Sequence, residues 1–222
     1  MSKSQKCKII ALEGIDGSGK GMQYGILCRN LEKQGYKIKT LDFPSYDGFF
    51  GKEIGRLLAG EGSTNAMELD ARSMSLWFAM DRMAAFKEIN IDDYDYILLN
   101  RSTLSNAVYQ GARVEKSQRR EFIKWIFQLE YKEIGLPEPD IYIIMDVDES
   151  QSKINVSKKG HRDYVGDRAD VYEAAEDFMT VVRQCYLDVA EMLDNAVIIN
   201  CMGPDGMRSA EEIAGDVISY CI

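Results

Sequence analysis

A glycine-rich loop that carries one lysine is the segment of this sequence best suited to chemistry. Residues 14–20 read GIDGSGK, follow a short apolar run directly and open a helical pattern. The glycines let successive backbone N–H groups point at an anion, and the helix N-terminus adds partial positive charge. Lys20 supplies a point charge for a phosphate. We therefore predict a phosphate-binding loop between the first strand and the first helix.

The two residues after Lys20 depart from the usual pattern of such a loop. A Ser or Thr normally follows the lysine and places a hydroxyl on Mg²⁺, whereas Gly21 and Met22 stand here. A dinucleotide-binding fold is the rival interpretation, because Asp42 ends the second predicted strand and could hold a ribose. Its final glycine position is occupied by Met22, however, and Lys20 has no role in it. We favour the phosphate loop, with a weakened magnesium site.

Two other places carry side chains suited to a second ligand. Arg101 follows the third predicted strand, where the carboxyl ends of parallel strands face a ligand crevice, and its guanidinium could grip a phosphate. A surface arginine at a helix start is the alternative. Phe78 and Arg82 lie four residues apart in a helical pattern and share one face. They could stack on a base and bond to its edge, although periodicity alone favours core packing for Phe78 and a surface charge for Arg82.

Alternating apolar runs and helical patterns must position these residues. The runs at 8–12, 38–43, 96–99, 141–145 and 196–200 predict five buried strands of a parallel sheet. Helical patterns cover 51–58, 69–88, 117–135 and 170–193, and a polar, charged loop lies at 157–168. The predicted fold is a three-layer α/β sandwich of the P-loop NTPase type. A length of 222 residues predicts a single domain.

Composition and charge narrow the class of partner. A net charge of -9 and a pI near 4.8 argue against a nucleic-acid surface. The five cysteines are spread along the chain without a C-x-x-C pair, which favours a reducing cytoplasm over a zinc site or a disulfide framework. No apolar run is long enough for a membrane span, and the first eight residues do not resemble a signal peptide. We predict a cytoplasmic protein that binds neither membrane nor nucleic acid.

Five short motifs follow one another along the chain. They are EGxDGSGK at 13–20, FPxY at 43–46, FxxDR at 78–82, SNAxYQG at 105–111 and GLPxPD at 135–140. In order and spacing they resemble the thymidylate kinase family of P-loop nucleoside monophosphate kinases, from about residue 8 to 208. The loop motif occurs in many nucleotide-binding families, and FPxY is a weak indication of this one. The run around Tyr109-Gln110-Gly111, combined with GLPxPD, is specific for the family.

The resemblance implies roles for residues of this chain. Phe78 would stack on a thymine that Arg82 hydrogen-bonds, Arg101 would hold the acceptor phosphate, and Asp16 would approach the sugar. Residues that would bind the ATP phosphates are Gly14, Gly17, Ser18, Gly19, Lys20, Gly21 and Met22. Residues that would bind the acceptor are Asp16, Phe43, Pro44, Tyr46, Phe78, Arg82, Arg101, Ser105, Asn106, Tyr109 and Gln110. Catalysis would fall to Lys20, Arg101, Arg162 and Arg168.

Arg162 and Arg168 lie with Lys158 and Lys159 at about 157–169. The resemblance implies that this segment is a mobile lid. A solvated charge run is the alternative for that segment. The implied activity is transfer of the γ-phosphoryl group of ATP, with Mg²⁺, to dTMP. The implied assembly is a homodimer that uses the helices near 67–86 and 122–131.

This sequence also departs from the family pattern near the phosphates. Asn100 precedes Arg101 where family members usually have aspartate, and Tyr46 stands where many relatives have arginine. Asn100, Gly21 and Met22 all remove groups that would help to hold Mg²⁺. Nucleotide binding could therefore survive while turnover falls. Two alternatives to a thymidylate kinase therefore stay open. One is a kinase for another nucleoside monophosphate, and the other is a catalytically impaired nucleotide-binding homologue.

Overall fold

A parallel sheet forms the centre of the protein, of which the computed structural model describes residues 6–158, 169–175 and 177–221. Its strands are β1 (Lys8–Glu13), β2 (Ile38–Asp42), β3 (Tyr96–Asn100), β4 (Ile141–Asp146) and β5 (Ala196–Asn200). They lie in the order β2-β3-β1-β4-β5, and every neighbouring pair is parallel. The predicted five-stranded parallel sheet is thus confirmed.

Helices cover the sheet and complete the predicted three-layer sandwich. They are α1 (Lys20–Lys33), α2 (Phe49–Leu58), α3 (Ala71–Lys87), α4 (Thr103–Gly111), α5 (Lys116–Phe127), α6 (Glu149–Ser157), α7 (Phe178–Ala190) and α8 (Ala210–Cys221). The central strands β1, β3 and β4 are buried almost throughout, because they are apolar runs covered on both faces. None of the described helices has the length and apolar character of a membrane span.

The predicted helix at 170–193 was wrong over its first turns. Of the described residues in this range, only Phe178–Ala190 are helical, and residues 171–174 form turns. The Asp170 carboxylate accepts the backbone N–H groups of Tyr172 and Glu173, both at 2.9 Å. Such a side-chain acceptor offers the backbone a local alternative to the helix.

Two other boundaries differ from the prediction. The helix predicted at 117–135 is α-helical only to Phe127 and continues as a π-helix, Gln128–Glu133. A short hairpin of β6 (Met202–Gly203) and β7 (Gly206–Met207) was not predicted, although Pro204, Asp205 and Gly206 form a turn sequence. The lid prediction lies largely outside the described residues, because Lys158 is the last one described before residue 169.

Candidate active site

The phosphate loop is held from below by helix α6. Ser152 donates a hydrogen bond to the Asp16 carbonyl at 2.5 Å, and Asn155 donates one to the Gly17 carbonyl at 2.8 Å. Gly17 has a φ of +78°, and a Cβ atom there would lie 2.4 Å from the Ser152 carbonyl oxygen. Only glycine fits this conformation and this contact. The loop shape therefore depends on both Gly17 and α6.

Lys20 lies inside the loop, with 6% of its surface exposed. Its Nζ donates to the carbonyls of Gly14 and Ile15 at 2.9 and 2.8 Å. The ammonium group of Lys20 is thus buried at the start of α1, within the phosphate loop. Of the residues predicted to bind ATP, those that line the pocket above the loop are Gly17, Gly19, Lys20, Gly21 and Met22.

We call this cavity the donor pocket. Gly14 and Ser18 are not among its lining residues in the described part of the chain, and Ser18 is fully buried below Lys20. Four residues that were singled out from the sequence, Asp16, Asn100, Arg101 and Lys158, also line the donor pocket. Sequence reasoning missed the rest of the wall, which consists of Gln23, Met145, Gln151, Asn155, Met207, Arg208, Ala210 and Ile213.

Arg101 is fixed at the end of β3 by the phosphate loop and α4. Its Nη2 donates to Asp16 at 2.5 Å and to the Tyr109 hydroxyl at 3.3 Å, and its Nη1 donates to Ser105 at 3.2 Å. Burial would lower the pKa of Arg101, but Asp16 together with Tyr109, Tyr186 and Glu13 outweighs it and holds the pKa well above its usual value. Its φ of 69° is uncommon for a non-glycine residue and typical of functional sites. The guanidinium is therefore charged and held in place.

A buried carboxylate, Glu13, ties this arginine to the helices behind it. Glu13 accepts hydrogen bonds from the hydroxyls of Ser102 at 2.6 Å, Ser105 at 2.5 Å and Tyr186 at 2.9 Å. Tyr186 belongs to α7, and Ser105 also contacts Arg101. Glu13 therefore links β1, α4 and α7 beneath the phosphate site.

A second cavity, the acceptor pocket, opens beside the donor pocket. It is lined by all but one of the residues predicted to bind the acceptor, together with Leu58, Asp170 and Tyr172. The predicted residues at its wall are Asp16, Phe43, Pro44, Tyr46, Phe78, Arg82, Arg101, Ser105, Asn106 and Tyr109. The chain from Phe43 to Tyr46 is held by Asp81, which accepts the Ser45 N–H at 2.8 Å. Burial raises the pKa of Asp81.

Arg82 is buried, so its interpretation as a surface charge was wrong. It is 3% exposed and donates from Nε and Nη2 to the two carboxylate oxygens of Glu130, both at 2.6 Å. Burial would lower the pKa of Arg82, but the charge and the hydrogen bonds of Glu130, with smaller contributions from Tyr131 and Asp81, outweigh it and the pKa is raised. Among the described residues, this pairing leaves Nη1 of Arg82 for a ligand.

Glu130 also fixes Asn106. The Asn106 amide nitrogen donates to Glu130 at 2.7 Å and to the Ser75 carbonyl at 3.0 Å. Both partners only accept, so the orientation of the amide is settled. Its oxygen is buried and has no hydrogen-bond partner among the described residues. The acceptor pocket therefore has a donor, Arg82, and an unsatisfied acceptor, Asn106, at one wall.

Gln110 is the predicted acceptor-binding residue that does not line this pocket. It is fully buried and donates to the Tyr172 hydroxyl at 3.0 Å. Tyr172 lines the pocket in its place, and sequence reasoning missed it because it was assigned to a helix. Arg162, Arg168 and Lys159 lie outside the described residues, and Lys158 lines the donor pocket.

Magnesium would find few protein ligands here. The described residues contain no group of three or more His, Cys, Asp or Glu side chains arranged to hold a metal. Met22 is 62% exposed and offers no hydroxyl. Among the described residues that line the donor pocket, the side-chain oxygens are those of Asp16 and of the amides Gln23, Asn100, Gln151 and Asn155. They suit a hydrated Mg²⁺ bound mainly through the phosphates of a nucleotide.

Both cavities share Asp16 and Arg101 at their walls. A phosphate bound by the loop and a phosphate bound in the acceptor pocket would thus both lie beside the guanidinium of Arg101. Comparison with known proteins gives the family of the chain. The sequence model of the family described as thymidylate kinase matches residues 12–210.

Relatives and solved structures agree with this match. A probable thymidylate kinase of Pyrobaculum aerophilum is 32% identical over 211 residues, which is 94% of this chain and 93% of that protein. The thymidylate kinase of Mycobacterium tuberculosis H37Rv is 28% identical over 187 residues, 82% of this chain and 85% of that protein.

The fold is similar to the structure of thymidylate kinase from Candida albicans, with a TM-score of 0.74 at 22% identity over 96% of this chain and 90% of that one. A thymidylate kinase from Ehrlichia chaffeensis gives a TM-score of 0.65 at 20% identity, over 97% of this chain and 99% of that one. These matches favour neither a kinase for another nucleoside monophosphate nor a catalytically impaired nucleotide-binding homologue. The chain belongs to the thymidylate kinase family.

Proposed function

We propose that this protein transfers the γ-phosphoryl group of ATP to the phosphate of dTMP, which gives dTDP and ADP. The observation that carries the proposal is that the donor and acceptor pockets share Asp16 and Arg101. In-line transfer needs the attacking phosphate oxygen close to the γ-phosphorus, and catalysis is then mostly positioning and charge stabilisation. A shared arginine supplies both.

Lys20 and Arg101 divide the electrostatic work. Lys20 exchanges its bonds to the carbonyls of Gly14 and Ile15 for the phosphates of ATP. Arg101 grips the acceptor phosphate while Asp16 keeps its guanidinium in place. Mg²⁺ neutralises charge on the transferred phosphoryl group when it is bound with ATP. Fixed cations act here without the reorganisation that water would require.

The wall of the acceptor pocket fits the edge of thymine. Thymine presents the O4 acceptor beside the N3–H donor, which pairs with Nη1 of Arg82 and the unsatisfied oxygen of Asn106. Cytosine presents an amino donor and a ring-nitrogen acceptor in the same places, so both contacts would be lost. Phe78 offers a ring for stacking, and the apolar Leu58 and Pro44 accommodate a methyl group.

We further propose that the whole chain is one kinase domain with its lid at about 157–169. Arg162 and Arg168 would reach the transferred phosphoryl group from that lid. Lys158 supports this proposal, because it belongs to this segment and lines the donor pocket. Charge reversal at each lid arginine, compared by single-turnover rate, would identify the one that acts on the transferred group.

We also propose a homodimer formed through α3 and α5. Leu76 on α3 is 47% exposed and Met67, just before α3, is 39% exposed, which supports a face that a second copy covers. Light scattering would give twice the mass of 25.2 kDa for the wild type and a monomer for Leu76→Asp.

A cytoplasmic location is proposed from the free thiols of all the cysteines.

A panel of acceptors tests the proposed activity. ADP release would be measured with Mg²⁺–ATP and dTMP, dUMP, dCMP, dGMP or dAMP in turn. We expect dTMP to have the highest kcat/KM and dCMP to be a poor acceptor. Arg101→Met should abolish turnover with every acceptor. Preference for a purine nucleotide would refute the acceptor assignment, and ATP binding without turnover on any acceptor would refute the kinase activity.

A further inference from the structure

Two carboxylates lie close to Arg101, and only one of them contacts it. Asp16 pairs with Nη2 at 2.5 Å, whereas Glu13 reaches the guanidinium through the Ser105 hydroxyl, which accepts from Nη1 at 3.2 Å. Glu13 is fully buried, and it is not among the described residues that line the donor or the acceptor pocket. Any effect of Glu13 on a bound nucleotide is therefore indirect.

Glu13 sets the direction of the Ser105 hydroxyl. Ser102 donates to one carboxylate oxygen, Oε1, and Ser105 donates to the other, Oε2. A hydroxyl has one proton and two lone pairs, so a Ser105 oxygen that donates to Glu13 keeps its lone pairs for Nη1 of Arg101. Tyr186 lies 2.9 Å from Glu13 and 2.8 Å from Ser105, and its proton can go to either oxygen without turning Ser105. The buried carboxylate thus makes Ser105 an acceptor.

The opposite direction of this hydroxyl would make its contact with Arg101 repulsive. A Ser105 proton aimed at Nη1 would place two donors against each other, and the guanidinium would have to move away. The Arg101 side chain is 16% exposed, so a ligand can reach it. A guanidinium binds a phosphate most tightly through two parallel N–H groups, which requires a fixed orientation. The direction of one hydroxyl therefore bears on the affinity for the acceptor phosphate.

We propose that Glu13 is a positioning residue for the acceptor phosphate: it fixes Ser105 as an acceptor, and Ser105 in turn fixes Nη1 of Arg101. The charge of Glu13 also contributes to the raised pKa of Arg101, in agreement with this coupling. The inference rests on the proposed function for the identity of the acceptor, dTMP. It gives a role in the site to a residue that touches no substrate.

Binding of dTMP and of thymidine, measured by calorimetry, tests the proposal without turnover. The two ligands differ only in the phosphate. The readout is the dissociation constant of thymidine divided by that of dTMP, which we call the phosphate enhancement. Glu13→Leu removes the acceptor that holds the Ser105 proton. We expect it to lower the phosphate enhancement about tenfold, while the affinity for thymidine stays within about twofold of the wild type.

Three further variants test how Glu13 acts. In Glu13→Gln the charge is lost, but the amide can place its NH₂ group beside Ser102 and its oxygen beside Ser105, so the phosphate enhancement should stay within about twofold of the wild type. In Ser105→Ala the enhancement should fall about tenfold, and adding Glu13→Leu should lower it no further. Glu13→Asp replaces Glu13→Leu if the latter does not fold. Its shorter carboxylate withdraws from Ser105 at unchanged charge and should also lower the enhancement.

Glu130→Gln is the matched control. Glu130 is also fully buried but bonds Arg82, at the wall proposed to read thymine, so its replacement should weaken thymidine and dTMP equally. An unchanged phosphate enhancement in Glu13→Leu, the same loss in Glu13→Gln or Glu130→Gln, additive losses with Ser105→Ala, or a wild type that binds thymidine as tightly as dTMP would each overturn the proposal. If the ratios behave as expected but no dTDP forms, the proposed function fails and this inference stands.

Discussion

Replacing Glu130 by glutamine removes the group that organises the acceptor pocket. Glu130 is fully buried and accepts two hydrogen bonds from Arg82 and one each from Thr103 and Asn106, at 2.6 to 2.7 Å. Glutamine keeps the shape of the side chain but replaces one acceptor oxygen by an NH₂ group. At least one of these donors then faces another donor, and the Arg82 charge stays buried without the carboxylate that pairs with it.

The expected loss of stability is large. Removing one partner of a buried ion pair costs about 3–5 kcal/mol, whereas the whole free energy of unfolding of a domain is about 5–15 kcal/mol. Urea unfolding followed by tryptophan fluorescence would measure it, because Trp77 and Trp125 lie on helices α3 and α5. Glu133→Gln is the control. Glu133 contacts the exposed side chain of Gln128, and we expect its replacement to cost less than about 0.5 kcal/mol.

Ligand binding separates the positioning role from stability. In Glu130→Gln the affinity for dTMP should fall by about 10–100-fold, corresponding to about 1.4–2.7 kcal/mol, while ATP affinity is unchanged. In the double variant Arg82→Met with Glu130→Leu, apolar packing should recover stability but not dTMP binding. A Glu130→Gln protein within about 1 kcal/mol of the wild type, or an equal loss of ATP and dTMP affinity, would refute this reasoning.

Three further changes have definite expected outcomes. Asn106→Ala should reduce the preference for dTMP over dCMP, measured as a ratio of kcat/KM, by an amount that corresponds to about 1–3 kcal/mol; an unchanged ratio would exclude its oxygen as the partner of N3–H. Gly17→Ala should abolish ATP binding while circular dichroism stays native, because its Cβ would lie 2.4 Å from a backbone oxygen; calorimetry that still detects ATP would contradict the loop geometry. Asp148→Ala should cost about 1 kcal/mol at pH 7, because its side chain accepts the Gln151 N–H at the start of α6. Hydrogen bonds from Ser150 and Gln151 lower the pKa of Asp148 below 3.8, so the difference from the wild type should be full at neutral pH and vanish as the pH falls through that lowered pKa; a difference that persists in acid would exclude the cap.

Local patterns were enough to predict the sheet and the phosphate loop. The glycines and Lys20 specify the loop through backbone conformation and charge, and both act within a few residues. The position of Arg101 followed from the rule that ligands lie at the carboxyl ends of parallel strands. In each case the information is carried by neighbouring residues or by a general property of the fold.

Contacts between distant segments, and a local side-chain bond that replaces a helix, could not be predicted from such patterns. Glu130 meets Arg82 across 48 residues, and it does so from a π-helix whose register differs from that of the α-helix. The pairing of Asn100 with Asp42 depends on strand register. Tyr172 was missed because the Asp170 carboxylate competes with helix formation. These contacts exist only once distant segments are packed or a side chain replaces a backbone partner.

Transfer of a labelled phosphoryl group tests the central claim most directly. The protein would be incubated with ATP labelled at the γ-phosphate, Mg²⁺ and dTMP, and the nucleotides would then be separated. Because both pockets meet at Arg101, we expect label in dTDP and an equal amount of ADP. The Arg101→Met protein should form neither labelled dTDP nor ADP. Label that appears only in inorganic phosphate, or stays in ATP although both nucleotides bind, would contradict the account.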